Sequence, residues 1–228
     1  MKFPNVAAGT KKLFTAEVLG LIGAILLVLG TLFAVVLVKT GDDVLASGSG
    51  SAAAAWLVGG FSTILFAGGG VIIAIISVVL KLVGINTARR DESDSKFFTI
   101  AFYCVVICLV LSVTMGILNA AVGNPTVTSW VKTVADLLNL FSTYYVLYGI
   151  EDFAKKSGAT DLAEKARATV YIVCGAFCIS IICELLLNII NIGVAFGVIL
   201  ILVTLAAKLA GYVLYLGVLS RSKKTFAE

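Results

Sequence analysis

Six stretches of nearly unbroken apolar character run along the chain, at residues 13–38, 52–83, 97–122, 130–150, 168–190 and 192–219, with short polar segments between them. Each reaches the roughly 20 residues that a helix needs to cross a hydrocarbon core about 30 Å thick. Spanning strands would also satisfy the backbone in lipid, but they alternate polar and apolar residues over about ten positions, and these stretches are apolar on all sides. The pattern predicts an all-α fold, a polytopic membrane helical bundle of six transmembrane helices forming a single integral membrane domain over residues 1–228. Asn188, Asn191 and Gly193 alone mark a turn between the fifth and sixth spans, so a five-helix count is the fallback. Lys2, Lys11 and Lys12 precede the first stretch as in a secretory signal. That stretch is 26 residues long, however, against about 7 to 15 for a signal core, which predicts an uncleaved first span.

Charge sets the orientation. With the N-terminus inside and six crossings, fourteen of the 17 Lys and Arg residues fall on the cytoplasmic side, and the exceptions are Lys39, Lys132 and Lys208. Basic residues are retained on that side during insertion, so both termini are expected in the cytoplasm and the protein in the cytoplasmic membrane as a multi-pass chain. Trp56 and Trp130 at outer ends, and Tyr144, Tyr145, Tyr148, Tyr212 and Tyr215 toward inner ends, agree with that direction, because amphipathic rings favour the headgroup level. The net charge of +4 therefore reflects topology and attraction to anionic lipid. No nucleic-acid partner is expected.

The even-numbered spans end alike, in "GINTARR" (84–90), "GIEDFAKK" (149–156) and "GVLSRSKK" (217–224). The first and third open with "KLFT" and "KFFT", and the fifth with "RAT". Counted from Thr15, Thr99 and Thr169, the same two offsets give Gly20 and Ala24, Cys104 and Cys108, and Cys174 and Cys178. These matches predict three tandem helical hairpins, at about 1–90, 91–156 and 157–228. After the fourth span, "EDFAKKSGATDLAEKARAT" predicts a solvated tip and a helix capped by Thr160 or Asp161 that continues into the fifth span.

Composition narrows the chemistry. Charged residues make up 13% of the chain, against about 25% in soluble domains. There is no histidine, so triads and histidine-metal sites cannot be built within the chain. Neither a P-loop nor a dinucleotide-binding glycine motif is present. No enzymatic activity, metal or cofactor is expected. Cys104 with Cys108, and Cys174 with Cys178, are each one helical turn apart inside apolar spans, and their shared register with Gly20 and Ala24 points to close helix packing by small residues. Gly68, Gly69 and Gly70 in the second span predict either close backbone approach or a local break.

Charged residues within spans carry the functional expectation, since a charge near the bilayer centre is costly without a partner or a watery cavity. Glu184, Lys208 and Asp136 are the candidate polar intramembrane site. Glu17 or Glu184 is the expected counter-ion for Lys208, and Lys132 lies one turn from Asp136. Two functions follow: a small-solute or ion transporter or channel component using that site, or a non-catalytic structural or accessory membrane subunit acting through helix packing. The lipid bilayer is the expected surrounding in both cases, and the second adds a membrane-protein partner or a homo-oligomer.

Overall fold

A computed structural model describes residues 3–47, 50–93, 95–122, 125–189 and 194–227; the side chains of 39–58, 116–130, 132, 184–196 and 198 lie outside the description. The described residues form six α-helices, α1 (Pro4–Ser47), α2 (Gly50–Ala88), α3 (Phe97–Val122), α4 (Pro125–Ser157), α5 (Thr160–Ile189) and α6 (Val194–Thr225), with a 3₁₀ turn at Arg89–Asp91. The described residues contain no strand, and the fold class is the expected all-α membrane protein. Among them, five helices are long and apolar enough to cross a membrane: α1, α2, α3, α5 and α6. The fifth and sixth spans are separate helices, so the fallback is not needed there. Residues 190–193, with Asn191 and Gly193 of the expected turn, lie outside the described residues, as does the side chain of Asn188.

The 33 residues of α4 exceed the spanning length. Its middle, however, carries Asp136, Asn139, Ser142, Thr143, Tyr144, Tyr145 and Tyr148, which lower its hydropathy. It packs against α3 and α5 and also touches α6, which buries Ser142 and half-buries the tyrosines but leaves Asp136 and Asn139 exposed.

Two helices run further than their apolar pattern predicts. Asp42 and Asp43 lie within α1, which continues to Ser47, because no proline follows Pro4 to stop it. The glycine triplet leaves α2 unbroken.

The chain divides into two compact units, Phe14–Lys81 on the one hand, and Met1–Leu13 with Leu82–Glu228 on the other. In the smaller unit the spans of α1 and α2 meet at small residues. A Cβ on Gly23 would lie 3.1 Å from the Gly70 carbonyl oxygen, and one on Gly30 would lie 2.8 Å from the Ala67 nitrogen. Ser77 donates a hydrogen bond to the Ala16 carbonyl at 2.8 Å. Glu17 and Lys81 form an ion pair at 3.0 Å, each side chain 14% exposed.

The core of the larger unit gathers at the basic ends of the helices. Val6, Leu13, Ile85, Phe98, Leu147, Ile150, Phe153, Val218 and Leu219 are all but fully buried there. The Phe3 ring meets Phe153 edge-on at 4.8 Å. Gly9 and Gly84 let two helices touch backbone to backbone, with a Cβ on Gly9 reaching within 2.6 Å of the Gly84 oxygen.

Acidic side chains close the helix ends nearby. The Asp91 carboxylate accepts hydrogen bonds from the backbone of Asn5 and Val6 at 2.9 and 3.0 Å, so a residue far along the chain caps α1. Glu92 caps α3 by accepting from the Phe98 and Thr99 nitrogens and from the Thr99 hydroxyl. At the other end of α4, Gly158 takes φ +79°. The Gly158 and Ala159 nitrogens donate to the Lys155 and Ala154 oxygens, a Schellman turn that sends the chain back into α5.

Candidate functional site

The helical register relates the expected polar site to this core. Eighteen residues make five full turns, so residues that far apart share one azimuth on a straight helix. Asp136 stands eighteen residues before Ala154, which is fully buried at the basic end of α4. Lys208 falls seven and fourteen residues before Tyr215 and Ser222, both buried in α6. The same side of α6 carries Gly211, against which Val173 and Ala176 of α5 pack.

Asp136 and Lys208 thus lie on stripes that are packed inside the unit near the basic ends. At their own level both residues are exposed. Asp136 is about 21 Å along α4 from Ile150, and Lys208 about 16 Å along α6 from Leu219, at a rise of about 1.5 Å per residue. Asn139, one turn from Asp136, is exposed as well.

Glu184 belongs to α5, eighteen residues beyond buried Ala166, but its side chain lies outside the described residues. So do the side chains of Lys132, Asn119, Trp56 and Trp130. Glu17, expected as a counter-ion for Lys208, takes Lys81 as its ion-pair partner instead. The sequence could not rank these lysines, because each of them lies in or at the end of an apolar run.

No protein-family model matches the chain, and neither a curated protein nor a solved structure shows significant similarity to it.

Asp136 and Lys208 are thus an acid and a cation, both exposed, on stripes that are buried at the basic ends of α4 and α6. The small residues of the shared register have other surroundings. Gly20 lies against Ser77, whose hydroxyl would be 2.9 Å from an added Cβ. Cys108 approaches the Ala135 carbonyl oxygen with its sulfur at 3.6 Å. Cys104 and Cys174 are half-buried, whereas Ala24 and Cys178 are exposed. Among the described residues, no group of three or more cysteines and acids is placed to hold a metal.

Sequence reasoning missed Glu151. It lies inside "GIEDFAKK", a segment that reads as a topological marker, yet its side chain is only 5% exposed. Lys155 pairs with one carboxylate oxygen at 2.6 Å, and the other oxygen has no hydrogen-bond partner among the described residues. The spacing of four residues to Lys155 was the available signal, but that spacing is equally common on solvated helices. Ser142, also buried without a hydroxyl partner among the described residues, gave no signal of its own.

Proposed function

We propose that the protein is a non-enzymatic component of a membrane transport or channel system for small solutes or ions. In this reading Asp136 and Lys208 line a polar crevice among α4, α5 and α6 that opens toward the outer side and is closed at the basic, cytoplasmic end. One observation carries the reading: Lys208 is exposed on the stripe where Tyr215 and Ser222 are buried, and Asp136 repeats that arrangement on α4. Exposed Leu202 and Leu209 stand about 100–120° around α6 from Lys208, at 3.6 residues per turn. In the bilayer, the water that fills such a crevice meets the solvation demand of both charges.

The test is thiol accessibility in proteoliposomes. In a background with the five native cysteines replaced, Lys208→Cys and Asp136→Cys should react with a membrane-impermeant methanethiosulfonate reagent at least tenfold faster than Leu209→Cys. Equal rates at 208 and 209 would exclude a watery crevice.

A second reading, a structural or accessory subunit, draws on α2. Gly68 and Gly69 have open space where a Cβ would stand, whereas Gly70 is closed against Leu27 and Gly23. A partner helix could approach that open face closely. This reading predicts slow labelling at position 208 and loss of a co-purifying membrane protein in Gly69→Leu.

A further inference from the structure

A cleft of about 410 Å³ opens between the start of α5 and the end of α6, and Gly158, Thr160, Asp161, Arg221, Lys224 and Thr225 are among its walls. We propose that this cleft binds the phosphate group of an anion at the membrane surface, with an anionic phospholipid headgroup as the source its position favours. Arg221 and Lys224 are three residues apart, so both project from one side of α6 into the same space. Both are exposed, and neither side chain has a hydrogen bond or ion pair among the described residues.

Two lysines at the end of α4 are engaged: Lys156 with Asp152 at 2.7 Å, and Lys155 with Glu151. Asp161, across the cleft, is the single acid on its wall among the described residues, where the cations outnumber it two to one. The ligand-holding groups are the two side chains and not the helix end. The Thr160 nitrogen is already bonded to the Gly158 oxygen, and the Leu162 and Ala163 nitrogens to that of Ala159.

Position identifies the ligand class. Arg221 follows buried Val218 and Leu219, where the apolar part of α6 ends, so the cleft lies at headgroup level. Basic pockets between transmembrane helices on the cytoplasmic side are suited to lipid phosphates. Arginine adds a planar fork of donors that matches phosphate oxygens two at a time.

The experiment uses the full chain in nanodiscs of phosphatidylcholine doped with spin-labelled phosphatidylglycerol or spin-labelled phosphatidylcholine. The wild type should hold the anionic label in preference. That preference should fall about fivefold when either cation is replaced, the scale of one basic residue near a charged surface. It should vanish in Arg221→Gln with Lys224→Gln. Arg90→Gln with Lys96→Gln removes the same charge from other exposed positions and should leave the preference unchanged. Arg221→Lys should retain part of it. Unchanged thermal melting of each variant guards against misfolding.

Inorganic phosphate, added in titration, separates the sources. If it leaves the label in place, the site takes lipid; if it displaces the label, the site takes soluble phosphate groups as well. In either case, loss of binding in the double variant supports the cleft. Absence of both anionic preference and phosphate binding in the wild type overturns the proposal, as does an equal loss in the Arg90 and Lys96 variant.

Discussion

At the residue scale, identical letters do different work according to what faces them. Gly9 stands where an added Cβ would meet backbone atoms below 3 Å, and Gly68 where it would meet nothing. Gly9→Ala should therefore lower the stability of the detergent-solubilised protein by about 1–3 kcal/mol, the usual cost of overpacking. Gly68→Ala should be neutral or slightly stabilising, because it removes only backbone freedom. Thermal unfolding of the two variants side by side checks both. Gly158→Ala should cost about 1–2 kcal/mol, because the left-handed conformation at φ +79° crowds a Cβ against the following carbonyl. Gly158 falls in the tip that "EDFAKKSGATDLAEKARAT" predicts. The contrast between Gly9 and Gly68 was not legible: the triplet carried the expectation of close approach, yet a Cβ would collide at the lone Gly9 and not at Gly68.

At the scale of elements, helix ends and helix pairs are joined by side chains remote in sequence. Glu92 satisfies two backbone donors of α3, so Glu92→Ala should cost about 1 kcal/mol, in the range of lost helix caps. The Glu17–Lys81 pair joins α1 to α2, with both partners largely buried. Glu17→Gln alone leaves a cation without its partner carboxylate and should destabilise by about 3 kcal/mol. The combined variant, Glu17→Gln with Lys81→Met, should recover most of that loss. A double-mutant cycle on thermal unfolding measures the difference. Both residues were visible as charges near inner ends of apolar runs, but a single sequence does not say which acid meets which lysine. Likewise α4 reads as an ordinary span, and its packing against α3 and α5 covers Ser142 and parts of the tyrosines of its polar middle.

For the molecule as a whole, the expected orientation yields a direct prediction. A green fluorescent protein fused after residue 228 should fold in the cytoplasm and fluoresce, whereas alkaline phosphatase inserted between residues 123 and 124 should be active outside. Reversed signals would refute the charge-based orientation. The crevice adds a functional expectation at this scale. If it takes up solute, Lys208→Met should abolish the accelerated labelling of Asp136→Cys by closing the polar path, while the melting temperature stays within a few degrees.

The all-α class, the spans and the basic ends were determined by the sequence alone, because about 20 apolar residues in lipid have a single local solution, the helix, and because insertion responds to charge near span ends. The charged residues deep in the spans were legible for the same reason, as exceptions that lipid penalises. What surrounds each of them was decided only by the tertiary structure. Packing direction depends on which azimuth of a helix meets its neighbour, and α1, α3, α5 and α6 are apolar almost all round. With no amphipathic stripe to read, the sequence could not tell that Asp136 and Lys208 lie in line with the packed core, that Glu17 turns to Lys81, or that Glu151 is buried.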